Sequence, residues 1–566
     1  MAIEEGTFQN LFPSRFLTFS FPNPNPDSDP LRLGDDSLRI AVLDSPRPSD
    51  PDPRVAALLV PNGREHDWIF SSSYGQLQLI ANSPGISRLI LVGNPPRADP
   101  GTAMYTRPVR SDESSRARFQ KMLLPLLLAL CPKSAFRSGI PEIPFLVYED
   151  NVFRSVPVEL CNGPVVGEML VEDVEIETAG DEEEHITCRE FRRRLRFKRM
   201  PNLIQTQMRI VSADGEFRPD TTVLVQPYLS PMVASLSLIA PHLEECIRSG
   251  SRPRALCVGV GGGALLSFLR VQLGFFDIVG VEMDDTVFQV AKQHFGLVED
   301  EFLRVCVGDG VELIQEFALR VIHWNSLCDK LALHPNSSFS YHLVPNGCES
   351  NRGVEMGRCV NDGDSLIDVI MVDLDSSDAT NPHSAPPLEF VQKKILLAVR
   401  SALHERGVFA LNVIKSGGDS FYGSLVTALR EVFSELYEID IGNGENYVLV
   451  ATVLPVGFVD LESKSTILDK LKRIIDVMST PRSISIPSRE AFSNILLQQL
   501  PTERKKYSLS FPCWKTCSRK NMRPCETWKQ HRKINMRGQV KSSLAKDSSL
   551  ALLMIQLCAE TVNPVI

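Results

Sequence analysis

The sequence predicts an α/β fold, a parallel sheet covered by helices on both faces and closed by an antiparallel hairpin. Three observations predict it. From residue 254 short apolar, β-branched runs alternate with helical stretches. A glycine cluster, Gly259-Val260-Gly261-Gly262-Gly263, joins the first run to the first helix. The alternation then stops at two strands joined through Gly442-Asn443-Gly444-Glu445, a hairpin signal.

The elements follow in order. ALCVGV, DIVGVEM, LRVCVGD, DVIMVDLD and VFALNVI read as strands. GALLSFLRVQLG, DTVFQVAKQHFG, GVELIQEFALR, PLEFVQKKILLAVRSALHERG and SFYGSLVTALREVFSEL read as the helices between and after them. LYEIDIGNGENYVLVATVL supplies the closing hairpin. Upstream, VAALLVP, RLILVG and IPFLVYED read as strands, and SRARFQKMLLPLLLALC as a helix interrupted or kinked at Pro125. GEMLVEDVEIETAG begins a run with period-2 stretches around acidic turns, in which REFRRRLRF and LIQTQMRIV predict a hairpin leading into the later domain. Residues 1–54, rich in Pro, Asp and Ser, are expected to be extended or disordered, with an N-terminal α/β region over 55–200. The main domain is expected over 201–455, with an insertion at 320–366 where the alternation fails. A helical, then basic and disordered tail is expected over 456–566.

Composition narrows the function classes. With 43% hydrophobic and 23% charged residues, the chain is neither collagen-like nor wholly disordered. MAIEEGTFQN has no positively charged start and no apolar core, so no secretory leader is expected. The most apolar window, MLLPLLLALC, is half the roughly 20 residues a bilayer span needs. A cytoplasmic protein without a membrane anchor is expected, its 13 cysteines reduced. Between Arg504 and Lys541 twelve basic residues face one acid, so the rest of this −9 chain carries about −20. Such an acidic body is not expected to bind nucleic acid specifically. The histidines and cysteines of the insertion show no paired ligand spacing, and those of the tail (Cys513, Cys517, Cys525, His531) are irregularly spaced, so no metal is expected.

The glycine turn matches the dinucleotide pattern G-x-G-x-x-G/A, yet the turn alone does not choose its ligand. A glycine loop at a helix start suits a phosphate or a carboxylate. Glu282 ends the second strand, where an acid accepts hydrogen bonds from ribose hydroxyls. Asp309 ends the third, placed to meet an adenine amine or to cap the next helix. Asp373, Asp375 and Asp378 crowd the end of the fourth. Hydride transfer has no evident need of such a cluster, whereas group transfer to an amine does, because carboxylates orient the amine and take its proton. The balance moves from a dinucleotide to S-adenosylmethionine.

With these residues in place, LCVGVGGGALLSF, VGVEMDDTVFQVAKQHFG, VGDGVEL and DVIMVDLDSSD resemble the spermidine-synthase-like branch of class I methyltransferases. Within it they are similar to the C-terminal domain of the dual elongation-factor-1-alpha lysine and N-terminal methyltransferases. The resemblance extends over roughly 55–455. It implies a seven-stranded Rossmann-like sheet and S-adenosylmethionine held by Gln205, Gly259, Gly261, Gly263, Glu282, Asp309 and Gly310. It further implies Asp373, Asp375 and Asn412 at the methyl-transfer end, and a protein substrate, the N-terminal α-amine of elongation factor 1-alpha. Nothing before residue 200 carries the glycine motif of the family's other methyltransferase domain, so its lysine activity is not carried over. Two alternatives stand beside this reading. A polyamine aminopropyltransferase is disfavoured by apolar Ala264 and Leu265, where those enzymes place Asp-Gly after the triple glycine. A non-catalytic cofactor-binding scaffold is the other.

Overall fold

The computed structural model describes residues 6–479 and 498–499, excluding 24–36, 179–187, 320–365, 377–384, 457–465 and several shorter stretches. The insertion and the basic tail with its cysteines lie outside the described residues, as does Asp378.

Strands β1 (Phe16–Pro22), β2 (Ser37–Asp44), β3 (Val55–Leu59) and β4 (Arg88–Gly93) form a sheet in the order β1-β2-β4-β3, extended at β3 by Phe145–Leu146. β1, β2 and β4 pair antiparallel, and β3 joins β4 in parallel. β2, β3 and β4 are buried on both faces, as their apolar runs require, while β1 at the edge is half-buried to exposed. Leu38, Ile40 and Val42 pack towards the helix Glu113–Ala129 through Phe119, Leu123 and Leu127. Ala41 and Leu43 pack on the other side against Ile69, Phe70, Leu79 and Ile80. The helix continues through Pro125.

Two parts of the stretch 1–54, expected to be extended or disordered, are therefore ordered strands. The reason lies in side chains that a compositional reading passes over. Arg88 is fully buried, and all five of its N–H groups are used. They meet both oxygens of Asp44 (2.7 and 3.1 Å) and the carbonyls of Phe8, Asn10 and Leu130. This one guanidinium fastens the start of the chain to the sheet.

A second, wholly antiparallel sheet contains β5 (Tyr105–Thr106), then, numbering Phe145–Leu146 as β6, β7 (Val152–Gly163), β8 (Gly167–Thr178), β9 (Cys188–Phe197), β10 (Ile204–Ala213) and β11 (Glu216–Pro219). β9 and β10 are hydrogen-bonded neighbours, so the expected boundary at 200/201 falls inside one sheet.

The third sheet begins with β12 (Arg254–Val258), β13 (Asp277–Glu282), β14 (Leu303–Val307), β15 (Ile367–Val372) and β16 (Leu403–Ile414). β17 (Glu435–Asp440) and β18 (Asn446–Thr452) complete it, in the order β14-β13-β12-β15-β16-β18-β17, with Gln498–Gln499 added beside β17. β12 to β16 are mutually parallel and β18 runs antiparallel between β16 and β17. The expected seven-stranded sheet with its closing hairpin is present. Ala255 and Cys257 face one half of the core, Leu256 and Val258 the other. The helix read through 407 ends at Ala402, and residues 403–407 begin β16 instead, where Leu403 pairs with Ile367. Strand order reverses between β12 and β15, and the crevice at their carboxyl ends is where open α/β sheets take ligands.

Candidate active site

The glycine turn leaves β12 at this crevice. Gly259 has φ 88°, and a Cβ there would lie 2.1 Å from the carbonyl oxygen of Asp373. Gly261 has φ 53°, and its Cβ would lie 2.7 Å from Thr206 Oγ1. Side chains are thus excluded by conformation and by space together. Gly263 is the N-cap of the helix Ala264–Gln272. β10 braces the turn from outside, with Gly262 N–H donating to Thr206 Oγ1 at 2.7 Å.

Glu282, at the end of β13, is buried. Its Oε2 accepts from the backbone N–H groups of Val260 and Gly261, both at 3.1 Å, and its Oε1 from Asp284 N–H at 3.2 Å. Burial pushes its carboxyl above the ordinary range. Asp309 caps the helix Gly310–Ala318, its Oδ1 accepting from Val311 and Glu312 N–H. Gly310 is the first residue of that helix.

Asp373 follows β15, and its backbone N–H donates to Val258 O across the crevice. Its Oδ1 accepts from Asn412 Nδ2 at 2.9 Å and its Oδ2 from the Tyr228 hydroxyl at 3.0 Å. Burial raises the carboxyl to about 6, against the lowering effect of those two donors. Asn412, on β16, accepts in turn from Asn446 Nδ2 at 3.3 Å. Asp375 points to different partners: Arg199 Nη2 donates to both its oxygens (3.0 and 2.9 Å) and Gln205 Nε2 to Oδ2 at 3.0 Å.

The structure therefore brings Asp373 and Asn412 into direct contact, and joins Gln205 to Asp375. The glycine turn 259–263 and Glu282 form a second group beside them, while Asp309 and Gly310 sit at the next strand end. Sequence reasoning missed Tyr228, Thr206, Gln226 and Arg199. Gln226 Nε2 donates to the Tyr228 hydroxyl at 3.0 Å, orienting it toward Asp373. Tyr228 lies 145 positions from Asp373 in a segment, QPYLSPM, with no motif to single it out.

At the opposite edge of the sheet, His242, Asp368 and His404 are the one group among the described residues close enough to share a metal ion. His242 Nε2 lies 2.6 Å from Asp368 Oδ1, and the two imidazoles stack with planes 14° apart. Stacked, nearly parallel rings do not aim their lone pairs at a common point. The group instead ties the helix Ala240–Arg248 to the starts of β15 and β16.

No family model matches the chain. Curated relatives do. The chain is 28% identical over 456 residues to the eEF1A lysine and N-terminal methyltransferase of Homo sapiens, covering 75% of this chain and 54% of that protein. It is 27% identical over 423 residues to that of Xenopus laevis, covering 70% and 50%. In sequence, the chain is similar to the eEF1A lysine and N-terminal methyltransferases. It spans about half the length of the curated relatives it matches. Among solved structures, human methyltransferase-like protein 13 in complex with SAH is 24% identical with a TM-score of 0.33, covering 47% of this chain and 99% of that one. Among the described residues, no helix is long and apolar enough to cross a membrane.

Proposed function

We propose that this chain is an S-adenosylmethionine-dependent methyltransferase of a protein amine, acting in the cytoplasm, with the N-terminal α-amine of elongation factor 1-alpha as its substrate. Asp373 carries the reading: a carboxylate beside the glycine turn, held by two donors and raised to about 6 by burial.

The residues present fit the cofactor. Gly259, Gly261 and Gly263 keep the turn free of side chains, and the end of β13 offers a buried carboxylate with an acceptor site left on Glu282 Oε1. Glu282 would hold the ribose hydroxyls, Asp309 and Gly310 the adenine side, and Gln205 would contact the methionine end. S-adenosylmethionine, when bound, supplies an electrophilic methyl group. The chain's own work is on the amine. Each oxygen of Asp373 accepts one hydrogen bond and keeps a lone pair, so the carboxylate can receive an N–H of the nucleophile. Asn412 and Tyr228 fix the direction of those lone pairs. An α-amine with a pKa of about 7.7–8.0 is substantially neutral at physiological pH, whereas a lysine near 10.4 needs far more help. Asp373 needs only to orient this amine and take its proton as the new bond forms. Asp375, paired with Arg199, fixes the Gln205 side chain.

The test is methyl transfer from labelled S-adenosylmethionine to purified elongation factor 1-alpha, with the mark located by mass spectrometry. An N-terminal mark bears the reading out. A lysine mark keeps the reaction class and moves the acceptor. Label transferred to a polyamine from decarboxylated cofactor, or to nothing, overturns it.

A further inference from the structure

A cavity of about 160 Å³ lies between the first and second sheets, away from the glycine turn. Its wall holds three arginines (Arg64, Arg194, Arg196) and three acids (Asp67, Asp150, Glu172). The acids do not share themselves evenly. Arg64 pairs with Asp67 and Asp150, both at 2.7 Å. Arg196 pairs with Asp67 at 2.6 Å and with Glu172 at 3.2 Å. Glu172 gives its second oxygen to Ser155 Oγ. Arg194 is left with one hydrogen bond, from Nε to Gln207 Oε1 at 2.6 Å. Its two Nη groups have no hydrogen-bond or ion-pair partner among the described residues, and the residue is only 8% exposed. Burial draws its pKa down to about 10, which leaves it charged at neutral pH.

A buried guanidinium with an unmatched fork, lining a cavity, calls for an anion of complementary shape. The three acids in the same wall disfavour a phosphate dianion and favour a single planar carboxylate. The cavity also communicates with the reaction centre through one strand. On β10, Ile204 lines the cavity, Gln205 bonds Asp375 and Thr206 braces the glycine turn. Gln207, the next residue, stands opposite Arg194 in the register and receives its hydrogen bond. Consecutive residues of β10 thus line the cavity and bond the carboxylate beside Asp373.

We infer that this cavity is a docking subsite for an acidic side chain of the polypeptide substrate, with Arg194 as the cation that reads it. The inference rests on the reading of the chain as a protein methyltransferase. Arg194 would favour substrates carrying Glu or Asp a few positions from the methylated amine.

The full chain, immobilised, is offered two pools of short random peptides with free N termini, identical except for Glu or Gln fixed at one position. The expected result is enrichment of the Glu pool by about tenfold at a position near the N terminus. In Arg194→Gln the enrichment is lost while the Gln pool is still retained, which shows that the variant is folded. Arg194→Lys restores part of the preference, a point charge without the fork. No enrichment, or enrichment that survives Arg194→Gln, overturns the subsite. Full competition by free glutarate also overturns it, in favour of a small-acid site. Failure of the methyltransferase reading is separately visible, as Arg194-dependent enrichment of peptides with no label transferred to any protein.

Discussion

Asp373 is a carboxylate whose burial costs stability and whose position serves chemistry. Its folded pKa, about 6, stands above the roughly 3.9 of an unfolded aspartate. Between those values the native state binds a proton that the unfolded chain has released, so stability falls as pH rises through the window. Above it the penalty is complete. Asp373→Asn removes the penalty, and the Tyr228 hydroxyl can turn to accept from the new amide. Thermal melts should therefore show the variant at or above wild-type Tm at pH 8, with the gap closing below about pH 4. Its kcat should fall by about a hundredfold or more. Tyr228 tests the same group from the other side. Its own pKa is pushed up by burial and by Asp373, so it remains a donor, and its hydrogen bond lowers the carboxyl. Tyr228→Phe should raise the Asp373 pKa further and move the acid limb of kcat/KM to higher pH. The activity lost near pH 6–7 should then recover toward pH 9.

Among the elements, the β7–β8 hairpin depends on a single side chain of the cofactor-binding sheet. Asp284 is fully buried after β13, and one oxygen caps the helix Asp285–His294 through Thr286 N–H at 2.9 Å. The other accepts from Val165 and Val166 N–H, at 2.8 and 2.9 Å, at the hairpin tip. Asp284→Ala removes the cap and strands two backbone donors, a loss of roughly 2–4 kcal/mol. Denaturant melts should record it, and limited proteolysis should open at 163–167. Asp284→Asn, able to serve only part of this set, should fall between. β13 was legible because VGVEMDD is a β-branched run ending in acids. β7 was not, because Pro157 interrupts it and only its two end residues are buried, which blurs the period of two. The site divides on the same line. Gly259, Glu282 and Asp373 could be read because each ends a strand in an ordered series. Tyr228 and the Asp284 tie could not, because their partners lie more than a hundred residues away and no local pattern encodes them.

At the scale of the molecule, the first sheet meets the second through buried charge. Asp67, from the segment after β3, accepts from Arg64, from Arg196 on β9 and from Ile69 N–H. Burial pushes its carboxyl up, but Arg196 and Arg64 more than offset that and hold it well below the usual range. Glu172 is lowered as well: burial pushes its carboxyl up, but Arg196, the Ser155 hydroxyl and Arg194 together more than offset that. The sign is opposite to that at Asp373. A depressed carboxyl contributes stability that is fully present above the unfolded value near 4 and is lost as pH falls toward the folded one. Asp67→Asn leaves Arg196 and Arg64 short of a buried counter-charge, at a cost of about 3–5 kcal/mol at pH 7. Melts from pH 8 to pH 3 should show that deficit constant down to about pH 5. It should narrow below pH 4, where the wild-type carboxylate begins to lose its own advantage. Because the second sheet in turn braces the glycine turn through Thr206, the same variant should weaken cofactor binding measured by equilibrium dialysis. A pH-independent deficit, or unaltered binding, would show that the first sheet is carried passively.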